Sequence, residues 1–304
     1  MDNFKMIDKN SLYNQISVLI LTKNEQQDLP DCLQSVSWCD DIHVFDSYSE
    51  DDTVKLAKEA GAKVTQRQFD GYASQRNVAL SALPYSHSWI LILDADERIP
   101  AELAREMLER VQRVQVGVNG LRIRRRDYFG KTWLKHSQMT PYYIRLVRKS
   151  KARYHREINE VLEVDGVVED LKGHFEHYPF SKGLHHWLNK HNTYSSMEAK
   201  RWVEEHRGNL SFSLQKALFS KDFTEKRYHQ KGIFYKIPGR PLIKWLYLAF
   251  WKRSFLDGRA GLTNATLQAI YEYFIVIKTR ELLDKESSAE EISDNVTVPL
   301  IIHS

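Results

Sequence analysis

Two aspartates one residue apart, Asp94 and Asp96, follow the apolar run Trp89-Ile90-Leu91-Ile92-Leu93. Carboxylates at the carboxyl end of a buried strand can share a hard divalent cation with phosphate oxygens while supplying only part of its coordination shell. Mg2+ or Mn2+ suits such oxygen donors, and a cation there would neutralise the charge that builds on a departing diphosphate. A D-x-D triplet arises often by chance. Its weight here comes from the strand before it and from Glu97-Arg98-Ile99-Pro100 after it, which together have the context of an active-site loop.

Two further segments lie where open α/β sheets bind ligands, at the carboxyl ends of apolar runs: Thr22-Lys23-Asn24-Glu25 and Asp46-Ser47. Asp46 is suited to accept a hydrogen bond from a base N–H or a ribose hydroxyl, with the Thr22 hydroxyl and nearby backbone closing around the base. Ser47 and Asp52 are read instead as a turn residue and a helix cap. Arg76 falls within an Ala- and Leu-rich helical stretch after Gly71. Its guanidinium fork matches diphosphate oxygens, and the competing reading is a solvated surface charge.

The elements that must position these residues are legible as alternating apolar runs and amphipathic stretches from Ile16 to Glu109, the pattern of βαβ units around a mostly parallel sheet. Strands are expected at 16–21, 42–45, 63–66 and 89–93. Helices are expected from Asp28 through Val36, from Asp51 or Asp52 to Ala60, over 72–83, and from Pro100 with Leu103, Met107, Leu108 and Val111 on one face. Beyond Gly117, strands at 121–126 and 142–148 flank the Gly130 turn, and Val161–Val164 before Asp165-Gly166 reads as half a hairpin. The fold class is α/β, a nucleotide-binding sheet with helices on both faces plus a C-terminal helical extension. The expected division is a catalytic domain over 1–182, a basic, aromatic-rich helical region over 183–286 with Trp187, His191, Tyr194 and Met197 on one face, and a tail over 287–304.

Composition narrows the function classes. A chain of 304 residues with 42% hydrophobic content can bury a sizeable core. A formal charge of +4 is too small to argue for nucleic-acid binding by itself, and no nucleic-acid fold is recognisable. Met1 to Gln15 is polar, so neither a secretory signal nor an anchor is expected there. The two cysteines, Cys32 and Cys39, are read as reduced and partly buried.

Taken in order, Ile16 to Glu25, Asp46 to Thr53, Gln75-Arg76-Asn77 and Leu93-Asp94-Ala95-Asp96-Glu97 resemble the inverting family-2 glycosyltransferases of GT-A fold, in the branch similar to lipopolysaccharide-core glucosyltransferases. The resemblance covers residue 16 to about residue 200. It implies a nucleoside-diphosphate sugar donor, commonly a UDP-sugar, a divalent metal held chiefly through Asp96, and nucleotide-side contacts from Thr22, Asn24, Glu25, Asp46, Arg76 and Asp94. An inverting reaction needs a base to take the acceptor hydroxyl proton opposite the leaving group. Glu160 is the expected base, by similarity to a segment where relatives carry a His-Glu pair. Asn159 departs from that pair, and Glu157 and His155 are rivals. Arg122 to Phe129 and Arg145 to Arg148 are similar to the family's strands beyond the metal loop. Their arginines are read either as approaching donor or acceptor phosphates or as an exposed basic face.

Between Lys216 and Arg259 the chain carries eleven Lys or Arg against three Asp or Glu, interleaved with ten aromatics. Such a stretch suits an anionic bilayer surface, while its longest apolar run, Trp245 to Trp251, is too short to span one. Packing of the aromatics against the catalytic domain is the competing reading. The expected partners are therefore a nucleotide-sugar donor, a glycolipid or oligosaccharide acceptor, and the inner face of the cytoplasmic membrane, with no nucleic acid. His174, His177, His185, His186 and His191 are read as local hydrogen-bonding or acceptor-groove residues rather than a metal cluster. Two other functions share these features: a non-catalytic sugar-nucleotide-binding assembly module, and a nucleotidyltransferase, the latter weakened by the lack of a Gly-rich phosphate loop.

Overall fold

The computed structural model describes residues 15–138, 142–155, 161–206, 212–220, 223–237 and 239–295. It divides into two units, Met1–Leu184 and His185–Ser304.

In the first unit, β1 (Ile16–Thr22), β2 (Ile42–Asp46), β3 (Lys63–Gln66) and β4 (Trp89–Asp94) run parallel in the order β3-β2-β1-β4. Their near-continuous apolar sequence reflects burial on both faces: Val18, Leu19, Ile20, Ile90, Leu91 and Ile92 are wholly buried. Each such side chain contributes about 1.5–3 kcal/mol of transfer free energy. The helices α1 (Leu29–Ser35), α2 (Thr53–Glu59) and α4 (Ala101–Arg113) bury against one face. The helix α3 (Tyr72–Ala82) packs on the other. Every one of these elements lies within a residue or two of its sequence expectation, because apolar periodicity, turn glycines and first-turn prolines coincide.

Next to β4 the sheet turns mixed. β8 (Tyr142–Arg148) is antiparallel to β4 and to β6 (Val118–Phe129), and β11 (Val167–His177) runs parallel to β6. Short strands complete it: β5 (Glu97–Arg98) pairs with β11, and β7 (Thr132–Trp133) folds back on β6 around Gly130. Val161–Val164 is half of an antiparallel pair, as expected, but Asp165-Gly166 is not its turn. β10 (Val161–Val164) pairs backwards with β9 (Ala152–His155), and the residues after Gly166 leave to join β6. Val164 lies against Gly120 of β6, where an added Cβ would meet it at 3.1 Å, so glycine there lets this small second sheet lie close.

The second unit is helical: α5 (Gly183–His206), α6 (Leu214–Phe219), α7 (Phe223–Lys236), α8 (Arg240–Leu246) and α9 (Gly258–Asn295), with a π-helical turn at Tyr247–Trp251 and a 3-10 turn at Ser254–Asp257. On α5, Trp187 and His191 stack at 3.5 Å, with Tyr271 of α9 edge-on to His191 at 5.1 Å. Burial lowers the His191 pKa to about 4, so this imidazole is a neutral packing element. No described helix is long and apolar enough to cross a membrane.

Candidate active site

The carboxyl ends of β1, β2 and β4 bring the predicted loops together. Asp46 is fully buried at the end of β2 and accepts hydrogen bonds from the Thr22 hydroxyl at 2.8 Å, the Ser49 N–H at 2.8 Å and the Gln66 amide at 2.9 Å. The loop after β1 is zipped to the loop after β2. The Asn24 N–H donates to Ser49 Oγ at 2.8 Å, the Glu50 N–H to Asn24 Oδ1 at 2.9 Å, and the Glu25 N–H to Thr53 Oγ1 at 2.7 Å. Asn24 and Tyr48 hold left-handed backbone, φ 56° and 58°, a costly conformation for non-glycine residues that concentrates at functional sites.

Three successive residues of α3 reach three different segments. Gln75 donates to the Ser47 hydroxyl at 3.0 Å, Arg76 to Asp94 at 2.8 Å, and Asn77 exchanges two hydrogen bonds with the backbone of Tyr154 on β9. Arg76 is therefore neither isolated nor solvated; its charge is spent on the first aspartate of the pair.

Asp94 is gripped from the opposite side by Arg145 at 3.1 Å. Arg145 owes that position to a β-bulge: Leu146 faces Leu121 while Ile144 faces Arg122, leaving Arg145 as the extra residue of β8. It also pairs with the wholly buried Glu97, whose other oxygen accepts the Asp94 N–H at 3.0 Å. Burial pushes the Glu97 carboxyl up to about 7 against the Arg145 charge, and the carboxylates of Glu97 and Asp94 hold Arg145 firmly protonated despite its own burial. The loop carrying the two aspartates is thus braced from beneath by a buried ion pair.

Asp96 has a different neighbour. His177, at the end of β11, places Nε2 3.4 Å from Asp96 and Nδ1 2.7 Å from Asp127, which also pairs with Arg125 at 2.7 Å. Burial disfavours the imidazolium, but the Asp96 and Asp127 carboxylates overcome it and raise the His177 pKa to about 9. Glu25 pairs with Lys182 at 2.7 Å, and burial pushes its carboxyl up to about 7 against the lysine. Lys182 also donates to the Asn24 carbonyl, and Ser181 to Asp28 at 2.8 Å, so the segment after β11 is fastened across the loop after β1. A cleft of about 350 Å³ opens beside it, lined by Gln27, Asp28, Asp31, Arg98, Tyr178 and Ser181. A cavity of about 580 Å³ between α1 and α2, with Asp40 and Glu59 in its lining, shares no lining residue with that cleft.

Lys182 is the residue here that the sequence reading does not anticipate; Glu97 is expected within this loop, Arg145 on a strand whose arginines approach phosphates or form an exposed face, and His177 at the acceptor groove or in local hydrogen bonds, and the structure brings all three against the two aspartates. The expected base Glu160 and its rival Glu157 lie outside the described residues. His155 is exposed at the end of β9 and pairs with Glu163 at 2.8 Å. Among the described residues no group of three or more His, Cys, Asp or Glu converges as a metal cage. Asp94 has both oxygens on arginines, so an ion at this loop would be met by Asp96 with diphosphate oxygens and water completing its shell, an arrangement that suits Mg2+ or Mn2+.

A parallel sheet that gathers a buried aspartate, an arginine-braced D-x-D loop and two zipped loops at its carboxyl edge has the architecture of a nucleotide-binding α/β protein. Residues 17–166 match the family described as Glycosyl transferase family 2, and the chain is a glycosyltransferase that carries this domain. The chain is similar to the lipopolysaccharide core biosynthesis glycosyltransferase LpsC of Rhizobium meliloti, at 27% identity over 86% of this chain and 91% of that one. It is also similar to the uncharacterized glycosyltransferase RT0209 of Rickettsia typhi, at 28% identity over 88% of this chain and 87% of that one. Among solved structures, residues 1–349 of TarS from S. aureus match over 90% of this chain and 92% of that one, with 14% identity and a TM-score of 0.47. The family match sets aside the nucleotidyltransferase and the non-catalytic module.

Proposed function

We propose that this enzyme transfers a hexose, with inversion, from a UDP-sugar to a lipopolysaccharide core or a related glycolipid at the inner face of the cytoplasmic membrane. The observation that carries the reading is the Asp94-Ala95-Asp96 loop at the end of β4, with Arg76, Arg145 and His177 fixing its two carboxylates differently. Asp94 holds Arg76 on the donor side, and Asp96 is the carboxylate for the ion. Such an ion supplies Lewis-acid stabilisation of the leaving diphosphate. Asp46 and Thr22 receive the base, while Asn24 and Glu25 shape the same wall. Glu160, in the segment between β9 and β10, deprotonates the acceptor hydroxyl. The catalytic role belongs to residues 1–182 and the membrane role to 183–286. LpsC's part in core biosynthesis, as its name states, supports the choice of acceptor.

Thermal shifts of the full chain against a panel of nucleotide sugars, with and without Mn2+, test the donor side. A UDP-sugar should raise the unfolding midpoint most, and only with the ion. Asp96→Asn should erase the ion-dependent part and cut transfer by about 100-fold or more. Glu160→Gln should keep the shift and lose turnover. Ion-dependent binding that survives Asp96→Asn would overturn the metal assignment, and near-normal turnover of Glu160→Gln would remove that base.

A further inference from the structure

Strand β6 carries three arginines at alternate positions, Arg122, Arg124 and Arg126, followed in the same phase by Tyr128. Alternation puts all four on one face, opposite the core residues Leu121 and Ile123 that pack with α4. This is the face against which the β9–β10 hairpin lies. Spaced about 7 Å apart, the three guanidinium stems span roughly 13 Å of strand.

Their environment distinguishes them from an ordinary solvated stripe. Each is held over an aromatic ring: Arg122 and Arg124 over Tyr142 at 5.7 and 5.3 Å, Arg126 over Trp133 at 4.2 Å. Ring stacking fixes a guanidinium plane and leaves its N–H fork available for an oxyanion. Arg122 is paired with Asp170 at 2.7 Å. Arg124 donates to the Tyr142 hydroxyl at 2.7 Å, Arg126 meets the Tyr128 hydroxyl, and neither has a carboxylate partner among the described residues. The buried Arg126 Nε has no hydrogen-bond partner. His174, opposite Arg124 on β11, has its pKa lowered first by burial and then by the Arg126 charge, a second sign that the field on this face is positive.

The row leads to the transfer point. Tyr128 stacks on Tyr178 at 5.1 Å, and the Tyr178 N–H donates to the Asp96 carbonyl at 2.9 Å. We propose that Arg124 and Arg126 bind an oxyanion substituent, a phosphate or a carboxylate, on the acceptor glycan, so that the acceptor is recognised by a charge set back from its reacting hydroxyl. The inference rests on the glycosyltransferase reading of the site and narrows its acceptor to anionic glycans.

The test uses the full chain with UDP and Mn2+ saturating the donor site, so that a diphosphate pocket cannot capture the probe. Glucose 6-phosphate, galacturonate and glucose are titrated in parallel and followed by NMR. Binding of either anion at least tenfold tighter than glucose is expected, the tighter of the two naming the substituent. The Arg124→Gln/Arg126→Gln pair should lose that preference by about tenfold, the Lys/Lys pair should retain part of it, and UDP affinity should be unchanged in both. Equal binding of all three sugars, or an undiminished preference in the Gln pair with an unaltered melting midpoint, overturns the proposal. Failure of UDP to bind the wild-type chain would count instead against the donor site.

Discussion

His177 joins the Asp94–Asp96 loop to β11, and its charge gives the site a measurable pH signature. Its folded pKa, about 9, lies above the ordinary imidazole value of 6.5, because Asp96 and Asp127 outweigh burial. The folded state therefore binds the proton more tightly than the unfolded chain. The resulting stabilisation, at most about 3 kcal/mol, is complete below pH 6.5 and is lost as pH rises through 9. Urea unfolding in metal-free buffer at pH 6 and pH 9.5 should show that loss in the wild type and little of it in His177→Gln. A wild-type curve as flat as the variant's would show the imidazole to be neutral. Asp94, Asp96, Asp46 and Arg76 were legible because each sits at a fixed offset from an apolar run or within a short helix. The contacts of His177 and Arg145 with that loop were not, because both residues reach it from strands remote in sequence, Arg145 by fifty-one positions. The bulge that turns Arg145 inward leaves no mark on the alternation of its strand.

At the scale of elements, β1, β2 and β3 are tied at the end opposite the ligand loops by Asp41, which the sequence reading passed over. It is 1% exposed and accepts from Ser17 at 2.5 Å, Lys63 at 2.6 Å, the Ser86 N–H at 2.8 Å and His43 at 3.0 Å. Burial acts to raise its pKa, and these donors together hold it far below the ordinary carboxylate range. Asp41→Ala would strand a buried hydroxyl and a buried imidazole and should destabilise the first unit by about 3 kcal/mol, read as a lowered urea midpoint with unchanged slope. A change within 0.5 kcal/mol would mean that water replaces the carboxylate. The parallel strands were visible as apolar runs because both faces are buried. The two-residue strands β5 and β7 have no period to detect, and β10 misled because Asp165-Gly166 has hairpin composition. What sends the chain elsewhere is long-range pairing: residues 167–177 find a partner in β6, whose free edge no local window reveals.

On the scale of the whole molecule, the second unit presents a surface that a water-facing helical region would not need. Trp251 is 79% exposed and Phe250 61%, with Leu242, Leu246, Tyr247, Phe255 and Leu256 also exposed along α8 and the two turns that follow. From Gly239 to Leu262 the chain carries Arg240, Lys244, Lys252, Arg253 and Arg259 against the single acid Asp257. Arg240 is committed inward, 3% exposed and paired with Glu272 at 3.1 Å, and Lys244 lies 4.0 Å from the same carboxylate, which leaves Lys252, Arg253 and Arg259 for the surface. Exposed rings beside cations match the headgroup layer of an anionic bilayer, where indole settles at the interface and each basic residue near the surface adds about 1 kcal/mol. The full chain should float with vesicles of 30% anionic lipid, and Phe250→Glu/Trp251→Glu should reduce the floated fraction by about tenfold, since it removes two inserted rings and adds two repelled charges. The same variant should bind UDP as the wild type does, because both rings belong to the second unit. Self-association offers the competing use of these rings. It would show as a concentration-dependent mass in sedimentation, abolished by the variant, with flotation left intact.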